Sequence, residues 1–366
     1  MRKAVNGEGS VRSKPRTDGR WEARYSLQVD GAWKRRSVFG RTKQEAAQRL
    51  REALSARDAG AAPIGGKETV ATYLDAWLNG TQSTLRSRSF ASYSQIVRDH
   101  LKPRIGRIPL GRLQPQQLQG LYQELLASGL SAKTVRNVHV TIHRALEQAL
   151  RWRLIRVNIA DLVDPPRQQR KEMQALSPDE ARQVLAAAKG DDLEALWWLA
   201  LTAGLRQGEL LALRWPDVNV EGGSVRVVAS LVRLPGQEPR LEEPKSQRSR
   251  RRVELSVGAL EALRRLRKAS PSIGFVFART DGRPLSVTTT WKRWRRLLDS
   301  AHVRHVRFHD ARHTAATLLL GRGVHPKVVS EMLGHSTVAI TLDVYSHVTP
   351  AMHREAAHVM DQLLAD

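Results

Sequence analysis

The chain has 366 residues, with 60 Lys and Arg against 36 Asp and Glu, a formal net charge of +24 and no cysteine. That composition excludes a disulfide framework, a thiolate metal site and a cysteine nucleophile, and no apolar run approaches the ~18 residues of a membrane span. The length allows two or three domains, and the charge points to a polyanionic partner, nucleic acid first among them.

Residues 1–60 carry 15 Lys and Arg against 7 Asp and Glu. The N-terminus is charged and lacks the apolar stretch of a secretory signal. Trp21 to Val29 reads as a strand, Asp30-Gly31 as a hairpin turn and Trp33 to Phe39 as the returning strand. Thr42-Lys43-Gln44-Glu45 is a capping box that opens a helix to about Arg57. The result is a small α+β domain over 1–60. Trp21, Tyr25, Trp33 and Phe39 are expected mostly in its core; stacking on nucleotides is the alternative.

Asp58 to Lys67 reads as a linker, rich in Ala and Gly. An all-α domain is expected over 68–163. Val70, Tyr73, Leu74, Trp77 and Leu78 recur at helical spacing. Leu110 to Leu113 marks a turn, and Gln117 to Leu126 a helix. Ser131 to Arg151 is a long amphipathic helix with Val135, Val138, Ile142, Leu146 and Leu150 on one face. Lys133, Arg136, His143 and Arg144 lie elsewhere around it, either as a solvated face or as a grip on a DNA backbone.

Asp164-Pro165-Pro166, continued to Glu172, reads as a second linker. A mixed α+β, mainly helical domain is expected over 173–366. It opens with the capping box Ser177-Pro178-Asp179-Glu180. Trp197, Trp198 and Leu201 look like a buried helix; Val225 to Val232 and Arg252 to Leu255 look like strands.

Six residues in this last domain suggest chemistry. Arg206 lies at i, i+3 from Glu209, so the two share a face. The pair is either a structural ion pair or a guanidinium fork oriented to take two phosphate oxygens. Lys245 reads as the tip of a β-hairpin, or as a solvated turn among Arg248, Arg250, Arg251 and Arg252. His309 and Arg312 face one site at i, i+3 at the start of an apolar helix. Leu333-Gly334-His335-Ser336 follows, with Tyr345 ten residues beyond His335. Five groups able to hold a phosphate thus precede one phenol able to attack it. No ligand cluster of usable spacing suggests a metal, and no cofactor is expected. The set reads as a means of breaking a phosphodiester by covalent attack.

Taken together, A-G-L-R-x-G-E-L at 203–210, P-K-x-x-x-S-R at 244–250, H-D-x-R-H-T at 309–314, L-G-H-S at 333–336 and D-V-Y-S-H-V at 343–348 follow the order and spacing of the tyrosine recombinases of the phage-integrase family. The chain resembles that family strongly over about residues 175–350. The helical block resembles its core-site-binding domain, and the basic N-terminal piece its arm-site-binding domain. Ala311 stands where many relatives have Leu.

The resemblance implies a role for each residue. Tyr345 is the nucleophile, and Arg206 and Arg312 bind the non-bridging oxygens of the scissile phosphate. His335 adds a hydrogen bond, and Lys245 protonates the leaving 5′ oxygen. His309 assists proton transfer at the tyrosine, and Glu209 supports the site. It implies a metal- and ATP-independent site-specific recombinase that integrates or excises a phage or mobile element through a Holliday junction. Its partners would be double-stranded DNA with core and arm attachment sites, three further copies in a homotetramer, and a DNA-bending host factor and excisionase where the element uses them. No membrane partner is expected, and the place of action would be the bacterial cytoplasm, on the nucleoid. A C-terminal tail with Met352, Ala356, Val359, Met360 and Leu363 at helical spacing either packs on its own domain or docks on a neighbouring subunit, and the resemblance implies docking. The rival readings are a type IB topoisomerase and a non-catalytic DNA-binding repressor.

Overall fold

A computed structural model describes residues 9–29, 32–58, 68–168, 173–234, 236–243, 250–269, 273–345, 360–362 and 364. The chain divides into two compact units, residues 1–170 and 171–366.

In the first unit, strands β1 (Ser10–Val11), β2 (Trp21–Val29) and β3 (Ala32–Gly40) form an antiparallel sheet in the order β1-β2-β3. Trp21 pairs with Gly40 and Val29 with Ala32; the Asp30-Gly31 turn lies outside the described residues. Helix α1 (Lys43–Asp58) begins where Thr42 Oγ1 accepts Glu45 N–H at 3.1 Å. The Glu45 carboxylate reaches back past Thr42 to Arg41 N–H at 2.8 Å, one residue further than a capping box requires.

The register decides where the aromatics go. Successive side chains alternate faces, so Trp21 and Tyr25 join Ala23 against α1, with Val38 opposite Ala23. Trp33 and Phe39 fall on the other face, and Trp33 is 65% exposed. The expectation that most of the four are core therefore fails for these two. On that outer face Phe39 has the guanidinium groups of Arg16 and Arg20 each 5.5 Å from its ring centre. Beside it, Glu22 is buried under Arg12, Arg16 and Arg24 and accepts a 2.8 Å hydrogen bond from Ser37.

The linker residues 59–67 lie outside the described set. Beyond them come α2 (Val70–Thr81), α3 (Ser87–Ile96), α4 (Lys102–Ile105), α5 (Pro115–Ala127) and α6 (Ala132–Arg151). The predicted apolar stripes of α2 and α6 form one core with Leu118, Leu121 and Leu125 of α5. Tyr73 donates its hydroxyl to Ala145 O at 2.5 Å, fixing α2 on α6. Lys133, Arg136 and Arg144 are exposed, with Arg144 lying over the Tyr93 ring at 5.7 Å.

In the second unit, α7 (Pro178–Ala187) carries both bonds of its predicted capping box. Next come α8 (Glu194–Trp198), prolonged as a π turn to Ala203, then α9 (Gln207–Ala212). Strands β4 (Val218–Asn219), β5 (Ser224–Val227), β6 (Ser230–Val232), β7 (Arg240–Glu242) and β8 (Arg251–Glu254) follow. The run expected as one strand over 225–232 is broken at Val228-Ala229. As a result β6 pairs with β7 while β5 pairs with β8. The turn of this interrupted hairpin lies between β6 and β7. Lys245, expected at a hairpin tip, lies outside the described residues.

Helices α10 (Val257–Ala269), α11 (Val287–Ser300), α12 (Phe308–Gly321), α13 (Pro326–Leu333) and α14 (Val338–Tyr345) complete the unit. Trp197, Trp294 and Phe308 meet with ring centres 5.6–6.0 Å apart. Each such pair contributes about 0.5–1.5 kcal/mol beyond burial alone, and the trio fixes α8, α11 and the first turn of α12. Ala316 and Leu320 of α12 pack on Val329 and Leu333 of α13. Most of the predicted C-terminal tail lies outside the described residues; Met360 and Leu364 are exposed.

Candidate active site

The π turn after α8 ends at Gly204, in the left-handed region at φ 60°. A side chain there would collide with Leu333 and lie 3.3 Å from the Ala315 Cβ, so only glycine lets this turn press against α12 and α13. The chain then extends, and Arg206 becomes the N-cap of α9. Glu209, three residues on, accepts Arg206 N–H at 2.9 Å and its Nη1 at 2.8 Å. The expected i, i+3 pair is thus a capping arrangement that orients the guanidinium. Arg206 Nη2 donates to Gly334 O at 2.8 Å.

Glu209 has a second cation that sequence reasoning left among the basic turn residues. Arg251 donates to it through Nη2 at 2.9 Å and Nη1 at 3.2 Å, and through Nε to Met332 O at 2.6 Å. Both side chains of this pair are almost wholly buried. Burial alone would push the Glu209 pKa up; Arg251 first and Arg206 second outweigh it and hold the carboxyl below its ordinary value. The signal that marks Arg251 is strand alternation: it shares a face with buried Val253, while Arg252 points outward.

Arg312, on the first turns of α12, is 3% exposed. Its Nη1 donates to Gly204 O at 2.8 Å. Its Nη2 is buried with no hydrogen-bond partner among the described residues. Desolvation first, then the charge of Arg206, lowers its pKa to about 9, with Glu209 opposing. His309 lies one turn earlier, its ring edge-on to His313 with centres 5.0 Å apart. Crowding, then His313 and Arg312, lowers its pKa; the ring is still exposed to solvent, which moderates the shift.

Gly334 closes α13 in the left-handed conformation at φ 67°. A Cβ there would come within 2.9 Å of Arg251 Nη1. His335 follows, buried, with its N–H bonded to Ser330 O at 3.0 Å and Nδ1 2.8 Å from Thr341 Oγ1. Burial, then Arg312 and Arg206, lowers its pKa to about 3. Tyr345 is the last residue of α14; its side chain lies outside the described residues. The fold thus brings Arg206, Glu209, His309, Arg312 and His335 into one pocket, walled by Arg251 and Thr341. Three guanidinium groups around one carboxylate leave a cationic surplus. Such a pocket favours a phosphate or a phenolate. Among the described residues no group of His, Asp and Glu is arranged to hold a metal ion.

Comparison with known proteins gives a consistent outcome. The phage integrase family profile matches residues 174–352, and that of the N-terminal SAM-like domain of phage integrases matches residues 69–126. A tyrosine recombinase XerC-like protein of Caldanaerobacter subterraneus subsp. tengcongensis is 27% identical over 359 residues, covering 90% of this chain and 92% of the relative. The Tn1549 transposon integrase, solved with a circular intermediate DNA, superimposes with a TM-score of 0.71 at 22% identity, covering 80% of this chain and 99% of the other. The lambda integrase tetramer bound to a Holliday junction gives a TM-score of 0.59 at 17% identity, covering 94% of this chain and 96% of the other. These two structures share the fold.

Proposed function

We propose, for a chain that belongs to the phage integrase family of tyrosine site-specific recombinases, that Tyr345 attacks a DNA phosphodiester held by Arg206, Arg312, His335 and Lys245. The Tyr345 oxygen bonds to phosphorus and the bond from phosphorus to the 5′ oxygen breaks. Lys245 gives the leaving oxygen its proton, and His309 receives the tyrosine's. A 3′-phosphotyrosine and a 5′ hydroxyl result. The reverse attack by another strand's 5′ hydroxyl rejoins the DNA without ATP, because the covalent linkage retains the bond energy.

The observation that carries this reading is the buried Nη2 of Arg312, which has no hydrogen-bond partner among the described residues. Leaving a guanidinium N–H buried and unbonded costs free energy that a phosphate oxygen recovers. Arg206, oriented by Glu209, would supply the second guanidinium. An ordinary tyrosine, with a pKa near ~10, is a poor nucleophile at neutral pH. Cations at the phosphate favour its phenolate and offset the charge that develops on the pentacoordinate phosphorus. Each preorganised donor of this kind contributes about 3–4 kcal/mol.

The enzyme acts on DNA of a phage or other mobile element. The helical block at 68–163 and the catalytic domain at 173–366 would both grip the core site. The 1–60 domain would take the arm site; its outer sheet face, with Arg16, Arg20 and Arg24 around Phe39 and Glu22, supports that role. A homotetramer would carry strand exchange through a Holliday junction, with a DNA-bending host factor and excisionase setting direction. No helix among the described residues is long and apolar enough to cross a membrane. The test is incubation with nicked attachment-site DNA in excess EDTA. A covalent protein–DNA adduct is expected; an adduct that forms only when Mg²⁺ is restored would overturn the proposed chemistry.

A further inference from the structure

The contact between His335 Nδ1 and Thr341 Oγ1, at 2.8 Å, has a direction that the surrounding hydrogen bonds determine. Thr341 is fully buried, and a buried hydroxyl places its proton on an acceptor. Buried helical threonines elsewhere in this chain do so in the ordinary way. Thr141, Thr290 and Thr314 each donate to the carbonyl four residues back, Asn137 O, Ser286 O and Asp310 O, at 2.8–3.0 Å. Thr341 departs from this habit: its one hydrogen-bond partner among the described residues is the His335 ring.

If the hydroxyl donates, Nδ1 must accept and carries no proton. A doubly protonated ring is disfavoured by burial and by the guanidinium groups of Arg312, Arg206 and Arg251, with His313 also facing it. The single proton of the neutral imidazole then sits on Nε2, which has no hydrogen-bond partner among the described residues. Phosphate oxygens only accept. The Nε2–H form therefore offers them a donor, whereas the other tautomer would present a lone pair. Thr341 also stands one helical turn before Tyr345 on α14.

We infer that Thr341 is a positioning residue: its hydroxyl holds His335 in the tautomer that donates to the scissile phosphate, and ties the helix carrying Tyr345 to the phosphate pocket. The second half of this inference rests on the function proposed above; the first does not. The test pairs Thr341→Val, which keeps the shape and removes the hydroxyl, with Thr341→Ser, which keeps the hydroxyl. In the full chain with ¹⁵N-labelled histidine, long-range ¹H–¹⁵N correlations read the His335 tautomer without DNA. The wild type and T341S should show Nε2–H, and T341V a shift toward Nδ1–H. On nicked attachment-site DNA, T341V should slow covalent-complex formation by about 10–100-fold with binding unchanged, as positioning substitutions of this kind do. It should slow His335→Ala no further. An Nδ1–H tautomer in the wild type, or an unchanged tautomer in T341V, overturns the inference. So do additive defects of T341V and His335→Ala. Absence of any adduct in the wild type counts against the proposed function, while the tautomer still decides the role of Thr341.

Discussion

Arg251 and Glu209 meet at 2.9 Å with both side chains almost fully buried, 42 residues apart in the chain. Through this pair one carboxylate joins the strand that follows Lys245 to the helix cap that orients Arg206. Arg251 also holds the C-terminal end of α13 through Met332 O. Three segments carrying candidate phosphate ligands are therefore locked by two side chains.

Removing one partner leaves the other charge buried and unmatched. Arg251→Met should cost about 3–5 kcal/mol of stability, measured by urea denaturation followed through tryptophan fluorescence. The Glu209 carboxyl is held below its ordinary value of 4.5. Its contribution is thus present above pH 4.5 and is lost as pH falls through the lower folded value. The difference between wild type and Glu209→Gln should shrink over that acid range; a gap independent of pH would contradict the ion-pair account.

His335 gives a second acid signature. Its folded pKa of about 3 lies below the ordinary 6.5, so the unfolded chain binds the proton more readily. Its contribution to stability is full above pH 6.5 and declines as pH falls toward 3. His335→Gln should therefore lose stability less steeply with acid in that window, by up to ~1.4 kcal/mol per pH unit. Equal slopes for variant and wild type would mean that His335 is not buried in its neutral form.

Much of this pocket was legible in the sequence, and the misses have physical causes. Arg206 with Glu209, and His309 with Arg312, stood out because i, i+3 spacing on a helix brings side chains together whatever the tertiary fold. The cap at Ser177 and the apolar stripes of α2 and α6 were local for the same reason. Arg251 was hidden in a run of arginines, where only a strand's two-residue period separates the buried one from its neighbours. Trp33 and Phe39 were misjudged because the choice between two sheet faces depends on which one α1 covers. The run over 225–232 was misjudged as one strand because an apolar run does not announce its break at Val228-Ala229. The bond between Thr341 and His335 depends on the turn between α13 and α14, which no local rule describes.

Lys245 can be tested through its leaving group. If it supplies the proton, Lys245→Ala should cleave ordinary DNA at least ~100-fold more slowly, within the usual contribution of a general acid. A substrate with sulfur at the 5′ bridging position needs little protonation, so cleavage should recover strongly on it. Equal defects on both substrates would assign Lys245 to phosphate binding alone.

Deleting residues 1–62 should leave cleavage of isolated core sites intact and abolish recombination that depends on arm sites. Each phosphate contact releases counterions, so the full chain should bind paired arm and core sites with a steeper salt dependence than the truncated form. Unchanged salt dependence with recombination intact would make the N-terminal domain a structural appendage.

The central claim is that Tyr345 forms the bond to DNA. The most direct measurement traps the covalent complex on nicked attachment-site DNA, digests it with protease and maps the modified peptide by mass spectrometry, alongside Tyr345→Phe. The nucleotide adduct should lie on Tyr345, and Tyr345→Phe should bind the site with wild-type affinity while forming no adduct. An adduct on Tyr93, Tyr122 or any other residue, or covalent complex persisting in Tyr345→Phe, would contradict the account.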